Sequence, residues 1–358
     1  MRAADADRAE RERILLPSWQ LVCHDSDLPS AGTAIRFDFL SRSALVLRGS
    51  DGLPRAFLNA CRHRGSRLIE GDPSTAVAFC IDSKLRCPYH AWVYDDRGAL
   101  VHVPREDQYP GIDRARLGLH ALPLATWHGF VFVAFETPPR PLAEMLAACT
   151  DELGAHRLDA MRRISEPRLV PHRADWKVVC EHQLELQRRG FAPAESGADT
   201  DLQRHRAAIV ASDAGNWPAR AYASWLPDVP ALPADRRRSW SRYFLWPNVA
   251  LDVYPDQVAF AQVLPLGPGE SAVRELGYAL PDSSREMRLA RYLNARIRRR
   301  FATEDRRLVE RRQLGLDTCG DAPGPLANDE PGQRWFTARV AAALQAPRRR
   351  VGRAPRAR

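Results

Sequence analysis

The sequence predicts an α+β fold in two parts, an all-β first half followed by a mixed α+β second half. Three observations carry this. From Trp19 to Glu136, short apolar runs alternate with turn residues, the pattern of strands joined by hairpins. Pro138, Pro139 and Pro141 then interrupt the chain, as a boundary would. Beyond them, long stretches of helical periodicity flank a run of proline-punctuated strands, the succession expected of an α+β layer.

In chain order, residues 1–16 are rich in charge and read as an N-terminal helix. ALVLRGSDGLPRAFLNA (44–60) is a strand, a Ser-Asp-Gly turn and a second strand, a hairpin signature. CPYHAWVYDDRGALVHVP (87–104) repeats it, with Asp95-Asp96-Arg97-Gly98 as the turn. GFVFVAFE (129–136) is apolar on both faces, so it predicts a strand buried on both sides. Helices are predicted over 142–156 and around 176–188, strands over 243–267, a long helix over 283–316 and a last helix over 334–345. The long one carries many acid–base pairs four residues apart, which support a solvent-facing helix surface. The resulting division is an N-terminal helix (1–16), a β domain (17–138), an α+β domain (139–346) and a basic disordered tail (347–358). No internal repeat and no G-x-G-x-x-G dinucleotide fingerprint occurs.

The 358 residues are 45% hydrophobic and 27% charged, a globular composition. No apolar run is long enough for a membrane span. The charged N-terminus lacks the apolar stretch of a signal peptide. These features predict a cytoplasmic protein without a membrane partner. Net charge is +9, but the last thirteen residues contribute six arginines and no acid. They hold no aromatic residue to stack on a base, so nucleic acid is not an expected partner. Seven cysteines, at 23, 61, 80, 87, 149, 180 and 319, do not read as a disulfide framework in a chain of this size.

Two of those cysteines sit beside histidines. Cys61-x-His63 and Cys87-x-x-His90 are separated by 23 residues, and each pair follows a strand and enters a turn. Two thiolates and two imidazoles can hold tetrahedral zinc. They can equally hold a [2Fe–2S] cluster, both cysteines on one iron and both histidines on the other. Here both pairs lie on hairpin loops of one β domain, in CRHRG and CPYHAW, rather than in a zinc knuckle. The remaining cysteines have no histidine at ligand spacing and are expected to be buried structural thiols.

With these residues on the page, the chain resembles the Rieske non-heme iron oxygenases, the aromatic-ring-hydroxylating oxygenase alpha-subunit family. DGLPRAFLNACRHRGSRL and RCPYHAWVYDDRGAL carry the likeness in the first half, with Ala91 standing where glycine is usual. The stretches DWKVVCEHQLELQRRGFAP, SRYFLWPNVALDVYPDQVAFAQVLPLGPGE, FATEDRRLVERRQLGL and GPLANDEPGQRWFTARV carry it in the second half. The resemblance implies a Rieske domain followed by a helix-grip (START-like) catalytic-type domain. It also implies a [2Fe–2S] Rieske cluster on Cys61, His63, Cys87 and His90.

Members of that family also bind a mononuclear Fe(II) through two histidines and a carboxylate, leaving positions open for O₂ and substrate. The carboxylate would be Asp305. The family pattern acid-x-x-His-x-x-x-x-His, laid on Glu185, puts the histidine positions at Arg188 and Pro193, neither of which binds iron. The expectation is therefore that mononuclear Fe(II) is absent and that the Arg188 guanidinium fills the vacated site between Glu185 and Asp305. A rebuilt set would need His182, Glu185 and Asp305, while His182 by itself reads as a surface or capping histidine.

The family likeness further implies head-to-tail trimers, with Glu185 bridging the cluster of one chain to the site of its neighbour. It implies electron supply from a separate reductase or ferredoxin. The main functional expectation is an electron-transferring or structural subunit of a hydroxylating or dealkylating oxygenase complex, paired with a competent paralogue. Two alternatives stand beside it: an active oxygenase with a rebuilt iron site, and a non-enzymatic redox carrier or sensor. Trp217, Trp225, Trp240 and Trp246 are candidates to line a pocket or to bind a quaternary ammonium by cation–π contact.

Overall fold

A computed structural model describes residues 3–71, 76–78, 84–185, 201–209, 217–319, 324–327 and 330–345. Helix α1 (Ala3–Glu10) opens the chain and widens into a π-type turn over Arg11–Leu15, which buries Ile14 and Leu15. The expected charged helix is thus anchored by the apolar residues at its end. Strands β1 (Gln20–His24), β2 (Thr33–Phe39), β3 (Arg42–Arg48), β4 (Pro54–Leu58) and β5 (Ala76–Ala78) follow. The hairpin expected over 44–60 is the antiparallel β3–β4 pair, and the sheet order is β4-β3-β2-β5. A second small sheet joins β6 (Leu85–Arg86), β7 (Val93–Tyr94) and β8 (Leu100–His102) around the Asp95–Gly98 turn. Gly98 has φ +82, and a Cβ there would lie 2.5 Å from the Phe57 ring. The turn therefore needs glycine both for its backbone and for its packing.

Strands β9 (Leu124–Trp127) and β10 (Phe130–Val133) pair with β1 in the order β1-β10-β9. All four β10 residues are buried. Val131 and Val133 pack into a cluster with Phe244 and Phe336, while Phe130 and Phe132 pack into another with Tyr243, Phe260 and Tyr278. This strand is apolar on both faces because it is sandwiched between the two halves of the chain.

The second half is built on one antiparallel sheet. Its strands are β11 (Arg162–Arg163), β12 (Arg168–His172), β13 (Leu202–Ala208), β14 (Ser239–Leu245), β15 (Val249–Val253), β16 (Gln257–Gly267) and β17 (Glu270–Ala279). They run β11-β17-β16-β15-β14-β13, with β12 also paired to β17. Helix α2 (Leu142–Gly154) packs Met145 and Leu146 into the cluster beneath β10. Helix α3 (Trp176–Leu184) is capped by Asp175, whose carboxylate accepts from the Lys177 N–H at 2.9 Å. The helix expected to reach 188 instead stops at Leu184, and Glu185 already has non-helical φ/ψ of −77°/64°. Helices α4 (Trp217–Trp225), α5 (Arg285–Cys319) and α6 (Pro331–Gln345) complete the fold. Among the described residues, no helix is long and apolar enough to cross a membrane.

Candidate functional site

Cys61 follows β4 and Cys87 follows β6, and each opens a tight loop. Both loops close in the same way. The Gly65 N–H donates to the Cys61 carbonyl at 2.9 Å, and the Ala91 N–H donates to the Cys87 carbonyl at 3.0 Å. Gly65 (φ +76) and Ala91 (φ +56) are both left-handed. Ala91 thus adopts a conformation that favours glycine, at a cost of roughly 1 kcal/mol.

The fold brings the four predicted residues together. Cys61 and Cys87 are buried at 3% and 2% exposure, and the His63 and His90 rings lie edge to face with centroids 4.6 Å apart. Trp92 stacks on His63 at 4.7 Å. Tyr89, 63% exposed, lies 3.9 Å from the His90 ring centroid. The cysteines are therefore inside and the histidines toward the surface. His63 Nδ1 is buried with no partner among the described residues, an orphan lone pair of the kind a metal would satisfy. The donor set fits a two-iron cluster, two soft thiolates on one side and two imidazoles on the other. Burial pushes the Cys61 thiol up, partly offset by the Tyr94 hydroxyl, which lies 3.2 Å from Cys61 Sγ.

Of the other cysteines, Cys23, Cys149 and Cys180 are buried as expected. Cys319 is exposed at the end of α5, which corrects its assignment as a buried thiol. Cys80 lies outside the described residues.

A second site sits in the second half. A cavity of about 260 Å³ is lined by residues of β12 to β17 and by α3, α4 and α5. The α5 contribution is a single face that includes Asn294, Arg298, Phe301, Asp305 and Val309, at the three- and four-residue spacing of one helix side. His182 lies in this cavity with a 10% exposed side chain. Its Nε2 is 3.1 Å from Asp305 Oδ1 and its Nδ1 is 3.6 Å from Glu185 Oε2. Burial lowers the pKa of the ring, but the two carboxylates outweigh burial and hold it above its ordinary value. His182 is therefore neither a surface nor a capping histidine. The reading failed because Asp305 is far away in sequence and close only in the fold. Arg188 and Pro193 lie outside the described residues, and among those described the side chain between Glu185 and Asp305 is His182.

Beside it, Arg242 forms a two-point buried pair with Asp252, both contacts at 2.6 Å, and Asp252 also accepts from Trp240 Nε1 at 3.0 Å. Trp240 is the only one of the four candidate tryptophans on the cavity wall, and it already stacks on Tyr254 and meets the Arg242 guanidinium. Trp246 packs in the core beneath Arg339, Trp217 is exposed under Arg296, and Trp225 is exposed. Sequence reading missed Asn294, Arg298, Tyr222 and the Arg242–Asp252 pair. The helical spacing that leads back from Asp305 to Asn294 was the available signal.

As for a mononuclear iron, the 3.1 Å between His182 Nε2 and Asp305 Oδ1 matches two neighbouring ligands on metal bonds of roughly 2.1 Å. Glu185 faces the opposite ring nitrogen and does not reach that point. Among the described residues no group of three His, Cys, Asp or Glu is placed to hold one ion. The described residues thus offer two donors, the His182 imidazole and the Asp305 carboxylate, toward the three-donor set of the family.

The chain matches two family models, the Rieske [2Fe–2S] domain over residues 18–125 and the ring hydroxylating alpha subunit (catalytic domain) over residues 170–346. It is 27% identical to the carnitine monooxygenase oxygenase subunit of Escherichia coli (strain K12), over 87% of this chain and 81% of that protein. It is 26% identical to the glycine betaine monooxygenase oxygenase subunit of Chromohalobacter salexigens, over 88% of this chain and 78% of that protein. A quaternary ammonium Rieske monooxygenase solved with L-carnitine shares the fold at a TM-score of 0.74. That match has 19% identity and covers 94% of this chain and 92% of that one. The same enzyme solved with γ-butyrobetaine gives a TM-score of 0.76. These relatives are named as oxygenase subunits and span the chain nearly end to end. They overturn the expectation of an electron-transferring or structural subunit that needs a competent paralogue. That expectation set a rebuilt site on His182, Glu185 and Asp305 aside for want of a second histidine, whereas the fold brings His182 and Asp305 together from different elements. The chain carries a Rieske [2Fe–2S] domain followed by a ring-hydroxylating alpha-subunit catalytic domain, and it belongs to the Rieske non-heme iron oxygenase alpha-subunit family.

Proposed function

We propose that the chain is an active oxygenase subunit that hydroxylates or dealkylates a small substrate in the α5-lined cavity, with an oxidation site rebuilt on His182 and Asp305. The observation that carries this reading is the His182–Asp305 pair, which offers an imidazole nitrogen and a carboxylate oxygen to one point on the cavity wall. A mononuclear iron held there would supply dioxygen activation. The protein's own residues do the rest. Arg242, neutralised by Asp252, fixes the wall beside the pair. The apolar side chains of Val170, Val179 and Phe301 keep water from much of the cavity, which strengthens the electrostatic interactions within it.

Cys61, His63, Cys87 and His90 are assigned as the cluster ligands. Neutral histidines reduce the negative charge of the cluster and raise its potential above that of all-cysteine clusters. The partly exposed histidine side is the natural exit for the electron. We assign Glu185, partly exposed next to His182, to bridge the cluster of one copy to the cavity of the next in a trimer of this chain. Electrons come from a separate reductase or ferredoxin, in the cytoplasm. The relatives named for carnitine and glycine betaine make quaternary ammonium carboxylates the first substrates to try.

The test is anaerobic purification, iron and sulfide analysis, then oxygen uptake with a generic reductase. Three irons per two sulfides and substrate-dependent uptake are expected. Asp305→Ala should lose the third iron and at least 10²-fold in turnover, as loss of a key ligand does, while the Rieske EPR signal persists. Two irons per two sulfides with no uptake for any ammonium carboxylate would sink the reading.

A further inference from the structure

The charges on the cavity wall are unevenly paired. Arg242 is matched by Asp252, Glu275 by Arg168 at 3.2 Å, and His182 by Asp305 and Glu185. Arg298, half-buried on the α5 face, has no hydrogen-bond or carboxylate partner among the described residues. One turn back, Asn294 is 1% exposed, lines the same cavity, and keeps a buried Oδ1 with no partner among the described residues. Its amide already donates to the Tyr222 hydroxyl, which leaves the carbonyl oxygen as the spare acceptor. A buried acceptor without a partner costs about 1–3 kcal/mol, so a ligand hydrogen there would recover that cost.

We propose that Arg298 and Asn294 form the recognition end of the cavity. Arg298 takes the carboxylate of a small zwitterion, and Asn294 takes a hydrogen from a hydroxyl or amine next to it. The α5 face gives the polarity. Arg298 and Asp305 are seven residues apart, about 10 Å along the axis. A guanidinium thus stands at one end and the His182–Asp305 pair at the other, so a substrate held by its carboxylate at Arg298 reaches along α5 toward that pair. Arg298 supplies the planar two-point donor set that a carboxylate fits. This inference rests on the proposed function for the direction of the substrate, but it concerns binding, which is measured separately from turnover.

The experiment is calorimetric titration of the full-length, anaerobic protein with three probes. L-carnitine carries both the carboxylate and the hydroxyl, γ-butyrobetaine lacks the hydroxyl, and carnitinamide lacks the carboxylate charge. L-carnitine should bind at least tenfold more tightly than carnitinamide and several-fold more tightly than γ-butyrobetaine. Arg298→Gln should erase the first preference and leave the second, Arg298→Lys should retain part of the first, and Asn294→Ala should erase only the second. Circular dichroism and the Rieske EPR signal check that each variant is folded. Equal binding of all three probes, or no binding of any, would overturn the proposal, as would preferences that survive in both variants. Carboxylate-selective binding without oxygen uptake would overturn the oxygenase reading and leave this one standing. Oxygen uptake without carboxylate selectivity would do the reverse.

Discussion

At the scale of single residues, the chain tunes its cluster with few contacts. Tyr94 is fully buried, its hydroxyl lies 3.2 Å from Cys61 Sγ, and it also accepts from the Arg62 N–H at 3.0 Å. With that N–H donating to the oxygen, the hydroxyl proton is free to point at the sulfur. Hydrogen bonds to cluster sulfurs stabilise the more negative, reduced state and raise the potential. Tyr94→Phe should therefore lower the Rieske potential. If the bond is stronger by about 1 kcal/mol in the reduced state, the drop is on the order of 40 mV for one electron. Redox titration followed by EPR reads it, and an unchanged potential would show that the hydroxyl donates elsewhere. Ala91 offers a second check on the same loops. Because its φ is +56, Ala91→Gly should relieve backbone strain and stabilise the protein by up to about 1 kcal/mol, seen as a higher melting temperature.

At the scale of elements, hairpins and periodic helices were legible because their signals are local. The β3–β4 hairpin, the β7–β8 turn, strand β10 and helix α5 all follow from residues adjacent in sequence. That Cys61, His63, Cys87 and His90 would meet was legible for the same reason, since they lie in two short motifs on two loops. The cavity was not, because its wall comes from strands and helices spread across the second half. The end of α3 was also misjudged, since the family register was carried past Leu184 where the backbone turns out of the helix. A further element-level feature is His156, just past the end of α2. Burial first and then Arg236 pull its pKa down, against the opposing pull of Glu152, to about 4. The folded ring stays neutral to about pH 4, whereas the unfolded one takes a proton near 6.5. The unfolded state thus binds more protons between those values, and stability falls as pH drops through that window. The full loss is on the order of 3 kcal/mol. His156→Gln should flatten the melting temperature between pH 6.5 and 4, and an unaltered profile would place the acid sensitivity elsewhere.

At the scale of the molecule, the two halves are joined by a buried cation rather than by apolar packing alone. Arg274 of β17 is 4% exposed, and burial pulls its pKa down to about 10. It donates to the Leu21 and Val22 carbonyls of β1 at 3.0 and 2.6 Å, and to Gln262 Oε1 at 3.1 Å, while its guanidinium lies 5.3 Å from the Phe37 ring centroid. Gln20 of β1 accepts from Asn248 and Gln262 of the large sheet, each at 3.0 Å. These bonds fix the Rieske domain on the catalytic sheet in one orientation, because each donor has its acceptor at a single register. An apolar junction of the same area would tolerate sliding, whereas a mispaired buried polar group would not. Arg274→Met keeps the volume but strands the carbonyls of Leu21 and Val22 and Gln262 Oε1 without their donor. At about 1–3 kcal/mol for a stranded buried group, partly relieved by relaxation, the loss should be roughly 3 kcal/mol. The variant should melt several degrees lower and should separate the unfolding of the two halves in calorimetry, the cluster's visible absorbance fading in a different transition from the bulk of the heat. A variant that melts like the parent in one transition would mean that the apolar clusters shared by β1, β10 and the large sheet hold the halves together on their own.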